Sequence, residues 1–298
     1  MLFKSGGIVV DGTPFIGKIS AADAKSNKAP VGFKWKYKDT DEYIGSAKMM
    51  RVDSEDNVYA ILGTDANVVK LDKYGKVVAK SKELAKTSQI TDLELVDGGV
   101  VLVGLKFYPI TEDCHGDGCT SILSHMVKLD SSFKFEWAED HGNYKGGLNQ
   151  FTGLEKGNAA LINNECWGIS KTFDKDSTHN GYALACGTGI EGCSLDNMDK
   201  QLYETCTKDP RKTWRALTIA TDLSGKRIWS RMDNHQNESG DPNFAWNSAS
   251  EYIYTNSNGK STMITDEAMG FGFATFDVYT NTTCKTEETN VENPETFI

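Results

Sequence analysis

The sequence predicts an all-β fold built from repeated four-stranded antiparallel units, and three observations carry that expectation. A pattern recurs along the 298 residues: an Asn/Asp-Gly turn, an apolar run, a polar loop, then a second apolar run closed by Asp and a tight turn. Its clearest copies read DNVYAILG with VVKLDKYGKVVAK, DGGVVLVG with MVKLDSSFKFEWA, and NGYALACG with LTIATDLSGKRIWSR. The apolar runs are rich in β-branched and aromatic residues and are bounded by Gly, Asn and Asp, which is how strands read. Helical periodicity is scarce, and only residues 81–86 have the composition for a helical turn. Four-stranded units of roughly 50 to 60 residues fit the blades of a β-propeller, and the chain holds about five of them.

With the strands of a unit labelled A to D, two landmarks align the copies. The turn before strand B falls at Gly6-Gly7, Asp56-Asn57, Asp97-Gly98, Asn180-Gly181 and Asn258-Gly259. The Asp that closes strand C falls at Asp72, Asp130, Asp222 and Asp277, with Ser20 as a degraded first member. The blades then run approximately over 1–42, 43–86, 87–142, 143–235 and 236–298, within a single domain. Asn-Gly and Asp-Gly supply the positive φ of two-residue hairpins, so each A to B connection reads as a tight turn. From C to D, the turns Asp72 to Gly75 and Asp222 to Gly225 use Asp to bind its own downstream backbone and Gly to adopt αL. The segment Asp130 to Phe133 keeps the length and loses the glycine. Strand D carries Trp35, Trp137 and Trp229, with Ala79 in the matching place of the second unit; the tryptophans are expected to pack between outer strands. The first unit has no recognisable strand A, and the tail 282–298 is available to supply it, closing the ring by pairing the two termini.

The run from Ala220 through Asp222, Gly225 and Lys226 to Trp229 resembles the blade repeats of quinoprotein-like (PQQ-like) propellers, and its siblings repeat the likeness over most of the chain. The resemblance implies the blade fold. The spacing from Asp to Gly is one residue shorter than in the quinoprotein form and no adjacent Cys-Cys pair occurs, so quinone chemistry is not carried over.

Composition narrows the partners. Lys and Arg number 32 against 42 Asp and Glu, a net charge of −10, which repels a phosphate backbone and argues against nucleic acid. No apolar stretch is long enough to insert in a membrane, and MLFKSGGIVVDG lacks a signal-peptide core. Seven cysteines occur. Cys114 and Cys119 bracket a Gly-rich loop, and Cys186, Cys193 and Cys206 crowd the next copy of that region; disulfides are favoured over metal because no CxxC or paired His is present. Cys166 and Cys284 stay unassigned. With the sequons at Asn237 and Asn281, the reading is a secreted or cell-surface glycoprotein.

Antiparallel order puts A–B and C–D turns on one face and B–C loops with D–A connectors on the other. The tight turns fall on the first face and the large insertions on the second. From the B-strand Gly to the closing Asp, the span is 9 residues after Gly63, 26 after Gly104 and 35 after Gly187. Rigid scaffolds display binding residues on such loops. Candidate ligand contacts are Tyr108, His115, Asp117, Tyr144, His235, Asp241 and Trp246, a mix of aromatic and polar groups suited to a glycan or protein ligand. No catalytic residue, metal ligand or cofactor is assigned. The acid pairs Glu112-Asp113, Glu139-Asp140 and Asp174/Asp176 read as solvated charge, with calcium binding or acid–base work as the weaker option, and Asp53, Glu55 and Asp56 read as turn residues. The leading expectation is an extracellular binding or adhesion propeller. Behind it stand a self-assembling structural subunit and a five-bladed glycosidase- or nucleotidase-like enzyme, the last requiring acids such as Asp92 or Glu94 on strand A.

Overall fold

A computed structural model describes residues 16–19, 33–37, 49–62, 67–81, 88–109, 120–142, 163–189, 214–232, 248–256, 258–267, 270–277 and 285–287. Among them every regular element is a strand. Strands β1 (Ile16–Ile19) and β2 (Phe33–Tyr37) form a two-stranded sheet, followed by four four-stranded sheets. These are β3 (Met50–Val52) to β6 (Val77–Lys80), with β4 (Val58–Leu62) and β5 (Asn67–Leu71) between, and β7 (Ser88–Val96) to β10 (Phe135–His141), with β8 (Gly99–Pro109) and β9 (Thr120–Asp130). The fourth runs from β11 (Asn163–Phe173) through β12 (His179–Gly189) and β13 (Arg215–Asp222) to β14 (Arg227–Met232). The fifth runs from β15 (Ser248–Thr255) through β16 (Lys260–Glu267) and β17 (Gly270–Asp277) to β18 (Lys285–Glu287). In each, chain neighbours are sheet neighbours in A-to-D order, paired antiparallel.

Contacts divide the chain into two compact units, Met1–Leu102 with Lys128–Glu136 and Val103–Val127 with Trp137–Ile298. In the first, Ile16, Val58, Ala60, Leu62, Val69 and Leu71 are buried together, with Trp35, Tyr37, Met50 and Val52 packed against them. In the second, Ala183, Ala185, Ile253 and Met263 meet between the fourth and fifth sheets, with Trp229 alongside. Nine consecutive residues of β12, from Gly181, are buried, which an antiparallel strand achieves only when both faces of its sheet are covered. Within each unit, first strands of neighbouring sheets meet directly. Arg51 of β3 binds Asp92 of β7, and Ser170 Oγ of β11 accepts the Thr255 N–H of β15 at 2.9 Å.

One turn serves six hairpins. Asp53, Asp72, Asp130, Asp174, Asp222 and Asn256 each accept, on Oδ1, the backbone N–H groups two and four residues on. The fourth residue of each is in the left-handed region: Asp56, Gly75, Phe133, Ser177, Gly225 and Gly259. Among the described residues, three of these are A–B turns and three are C–D turns, so a single local code serves both kinds of hairpin.

Three sequence expectations are corrected here. Asn180 and Gly181 lie inside β12; the hairpin turn is Asp174 to Thr178, because Asp174 organises it and Ser177 takes the positive φ of 61°. Gly181 is required in the strand for another reason: a Cβ there would lie 2.0 Å from the Thr221 carbonyl oxygen. Asp56-Asn57 and Asn258-Gly259 end longer turns rather than forming two-residue ones. The tail is corrected too, since β18 pairs with β17 (Thr275 opposite Lys285) and completes its own sheet instead of the first.

The D-strand tryptophans do pack between sheets. A Cβ on Gly75 would fall 2.6 Å from the Trp35 ring, and one on Gly225 would fall 2.7 Å from that of Trp137. Trp35 also donates its Nε1–H to the Lys73 carbonyl at 2.9 Å. Each ring thus lies on the C–D turn of the following sheet. In the intervening copy both partners change: Ala79 replaces the tryptophan, and Phe133 replaces the glycine. The Phe133 ring is buried and edge-on to Tyr59 at 6.2 Å.

Candidate functional site

Toward the strand ends that lead into the long insertions of the sequence, β8, β9 and β10 bring four polar side chains together. Lys106 and Tyr108 sit two apart on β8 and so share a face. His125 comes from β9, and Asp140 from near the end of β10. Asp140 is the hub. Its Oδ2 accepts from Lys106 Nζ at 2.9 Å and from the Tyr108 hydroxyl at 2.5 Å, while Oδ1 contacts His125 Nδ1 at 2.5 Å. The Lys106 ammonium also lies 5.0 Å from the Tyr108 ring centroid. His125 is nearly enclosed, whereas Lys106 and Asp140 keep about a quarter of their side-chain surface, at 27% and 24%.

The electrostatics follow from that packing. Burial works to raise the Asp140 carboxyl, but hydrogen bonds from His125, Lys106 and Tyr108 hold it well below the usual carboxylate range. Burial works to lower Lys106, and the bonds and charge of Asp140 and Tyr108 lift it above its ordinary value. Tyr108 is raised by burial and then by Asp140, so its proton stays on at neutral pH. Next to Asp140, buried His141 is pushed down to about 4 by burial and the charge of Arg227, with Asp140 opposing.

The same end collects buried polar atoms with no protein partner. Ser124 Oγ, His141 Nε2, Asn164 Nδ2 and Ser250 Oγ, all in the second unit, are enclosed and have no partner among the described residues. Each lies in the half of its strand nearer the insertions. Native interiors leave few such atoms, and each carries a desolvation cost of about 1–3 kcal/mol.

Of the expected contacts, Tyr108 is in the network; His115, Asp117, Tyr144, His235, Asp241 and Trp246 lie outside the described residues. So do the sequon residues Asn237 and Asn281, and Cys114, Cys119, Cys193 and Cys206. Cys186 is bonded to Cys166, its directly opposed partner across β11 and β12, so this bridge ties two strands within a sheet and staples no loop. Sequence reasoning did not bring Lys106 and His125 into a site, and it gave Asp140 only as half of the Glu139-Asp140 pair. Only Lys106 carried a local signal, as the one charged residue in the apolar run of β8. Glu139-Asp140 cannot act as an acid pair, because neighbours on a strand point to opposite faces. Asp174 is a turn residue, and Asp92 is fully buried and held through both carboxylate oxygens by Arg51. No group of three metal-ligating side chains occurs among the described residues.

No protein-family model matches the chain, and no curated protein matches it in sequence. Among solved structures, a protein of unknown function from Bacteroides caccae is similar at 10% identity, over 86% of this chain and 65% of its own, with a TM-score of 0.42. A mutant of Synechocystis apocarotenoid oxygenase is similar at 8% identity, over 92% and 56%, with a TM-score of 0.43. The cobalt-substituted form of that oxygenase gives 10% identity, 96% and 53%, and a TM-score of 0.38. The chain spans 53% to 65% of the length of these structures.

Proposed function

We propose that the chain is an extracellular binding or adhesion β-propeller whose insertion-bearing end takes a hydroxyl-rich ligand, a glycan. The observation that carries the reading is the Lys106–Tyr108–His125–Asp140 network. A sugar hydroxyl is at once donor and acceptor, and the network offers both. Asp140 Oδ1 keeps a lone pair after its contact with His125, and Lys106 keeps an N–H beyond those taken by Asp140 and Tyr108. The half-buried Tyr108 ring supplies a flat apolar face for a pyranose. Because the carboxylate and ammonium are already fixed by each other, a ligand meets them without a further ordering cost. Radial stacking of the sheets is supported by the meeting of successive first strands and by the repeated tryptophan packing. An oxidising compartment is supported by the Cys166–Cys186 bond.

A glycan array probed with the intact protein tests this, followed by titration of any hit against Lys106→Met and Tyr108→Phe. Lys106→Met is expected to weaken binding about tenfold or more, the scale of a lost charged hydrogen bond, and Tyr108→Phe to weaken it less. An array with no hit, or a hit unaffected by Lys106→Met, overturns the reading.

A further inference from the structure

The hairpin of β5 and β6, in the first unit, puts cations and apolar groups side by side in water. From Lys70 to Lys80 the chain holds four lysines against the single Asp72, a net charge of +3 on a protein that carries −10 overall. Lys73, Lys76 and Lys80 are exposed, and among them stand Tyr74, 72% exposed at the tip of the turn, and the exposed Val77 and Val78 of β6. We propose that this hairpin docks on an anionic lipid surface, with Tyr74 and the two valines in the interfacial layer and the lysines on the headgroups.

The turn is held in place by its own backbone and by a neighbour. Asp72 Oδ1 accepts the N–H groups of Tyr74 and Lys76 at 2.9 Å each, and the Asp72 carbonyl accepts that of Gly75. Trp35 braces it, with its Nε1–H on the Lys73 carbonyl and its ring against Gly75. The Lys73 ammonium lies 5.3 Å from the centroid of the Tyr74 ring, so aromatic and cation reach a surface together. β6 is the outer strand of its sheet. Lysines alone would protect such an edge from unwanted pairing, but the exposed valines beside them undo that protection in water. The same combination follows the next two C–D turns, as Lys134-Phe135 and as Lys226-Arg227-Ile228, with Phe135 and Ile228 each 65% exposed.

The mixture selects the partner. At a lipid surface the apolar side chains enter the boundary between headgroups and acyl chains, while each lysine near anionic headgroups strengthens binding about fivefold. A soluble polyanion would answer the lysines and leave Tyr74, Val77 and Val78 in water. An acidic peptide adding a strand to β6 would find an edge of four residues, shorter than the five or six of an ordinary strand. The hairpin belongs to the first unit and the Asp140 network to the second, so lipid docking and glycan binding are separable by variant.

Co-sedimentation of the full-length protein with vesicles tests this. Mixed vesicles of phosphatidylglycerol and phosphatidylcholine are expected to bind it about tenfold or more tightly than vesicles of phosphatidylcholine alone. Lys73→Gln combined with Lys76→Gln is expected to weaken that binding about 25-fold, the effect of two lysines. Tyr74→Ser combined with Val78→Ser is expected to weaken it about fivefold or more, with retention on heparin unchanged. These changes spare the backbone bonds of the turn, and Tyr74→Ser alone carries the same expectation if the double variant does not fold. Absence of vesicle binding, equal binding to phosphatidylcholine vesicles, or full binding by the Tyr74 and Val78 variant would each overturn the proposal. The last would assign the lysines to a soluble polyanion.

Discussion

At the scale of single residues, Asp140 and His141 are adjacent and oppositely placed. Asp140 is a carboxylate kept charged by three donors, and His141 is an imidazole kept neutral by enclosure. Their linkage to stability has one direction and two windows. For His141, the folded value is depressed from 6.5 to about 4, so its contribution is complete above pH 6.5 and is lost as pH falls toward 4. Asp140 is depressed as well, so its contribution survives above its ordinary value of 3.8 and is lost below it. Stability measured by denaturant unfolding should therefore drop by about 2 kcal/mol between pH 7 and pH 5 on account of His141. His141→Leu should flatten that interval, and an unchanged slope in the variant would contradict the buried neutral assignment. Tyr108 was singled out in the sequence because an aromatic stood where a strand gives way to a long insertion, and its side chain lies in the Asp140 network. Its meeting with Lys106, His125 and Asp140 was not legible, because it depends on the stagger of three strands.

At the scale of elements, the turn was half legible. The Asp-x-x-Gly signature gave the C–D turns, but the same conformation at Asp53 and Asp174 hides behind Asp56 and Ser177, residues that adopt positive φ only because the rest of the turn is over-determined by its Asp. Phe133 shows why a missing glycine is not a weak turn. A bulky residue at φ 60° costs roughly 1–2 kcal/mol in backbone energy, yet its buried ring replaces the aromatic packing that Ala79 does not provide. Two substitutions separate the cases by thermal unfolding. Gly225→Ala should destabilise by about 2–4 kcal/mol, from left-handed strain plus overlap with the Trp137 ring. Phe133→Gly removes strain and should still destabilise, by about 2 kcal/mol, because the lost burial outweighs the relief. A rise in melting temperature for Phe133→Gly would contradict the proposed exchange of packing. The insertions were misread in length. Part of the long B–C span extends the strands, β8 and β9 running to 11 residues each where β4 and β5 have five.

At the scale of the whole molecule, the repeat made the sheets and their A-to-D order readable in the sequence, since both are encoded by turn chemistry and alternation. What pairs with what at long range was less so: the Cys166–Cys186 bond follows from strand register, and the place of the tail from its pairing with β17. The account's central claim is that ligand recognition belongs to the insertion-bearing end, with the Asp140 network in it. Amide hydrogen exchange of the intact protein, with and without a bound glycan, tests that most directly. The account predicts added protection in residues 104–109, 122–126 and 138–142. Protection confined to the C–D turns, at residues 72–76, 130–134 and 222–226, would contradict it.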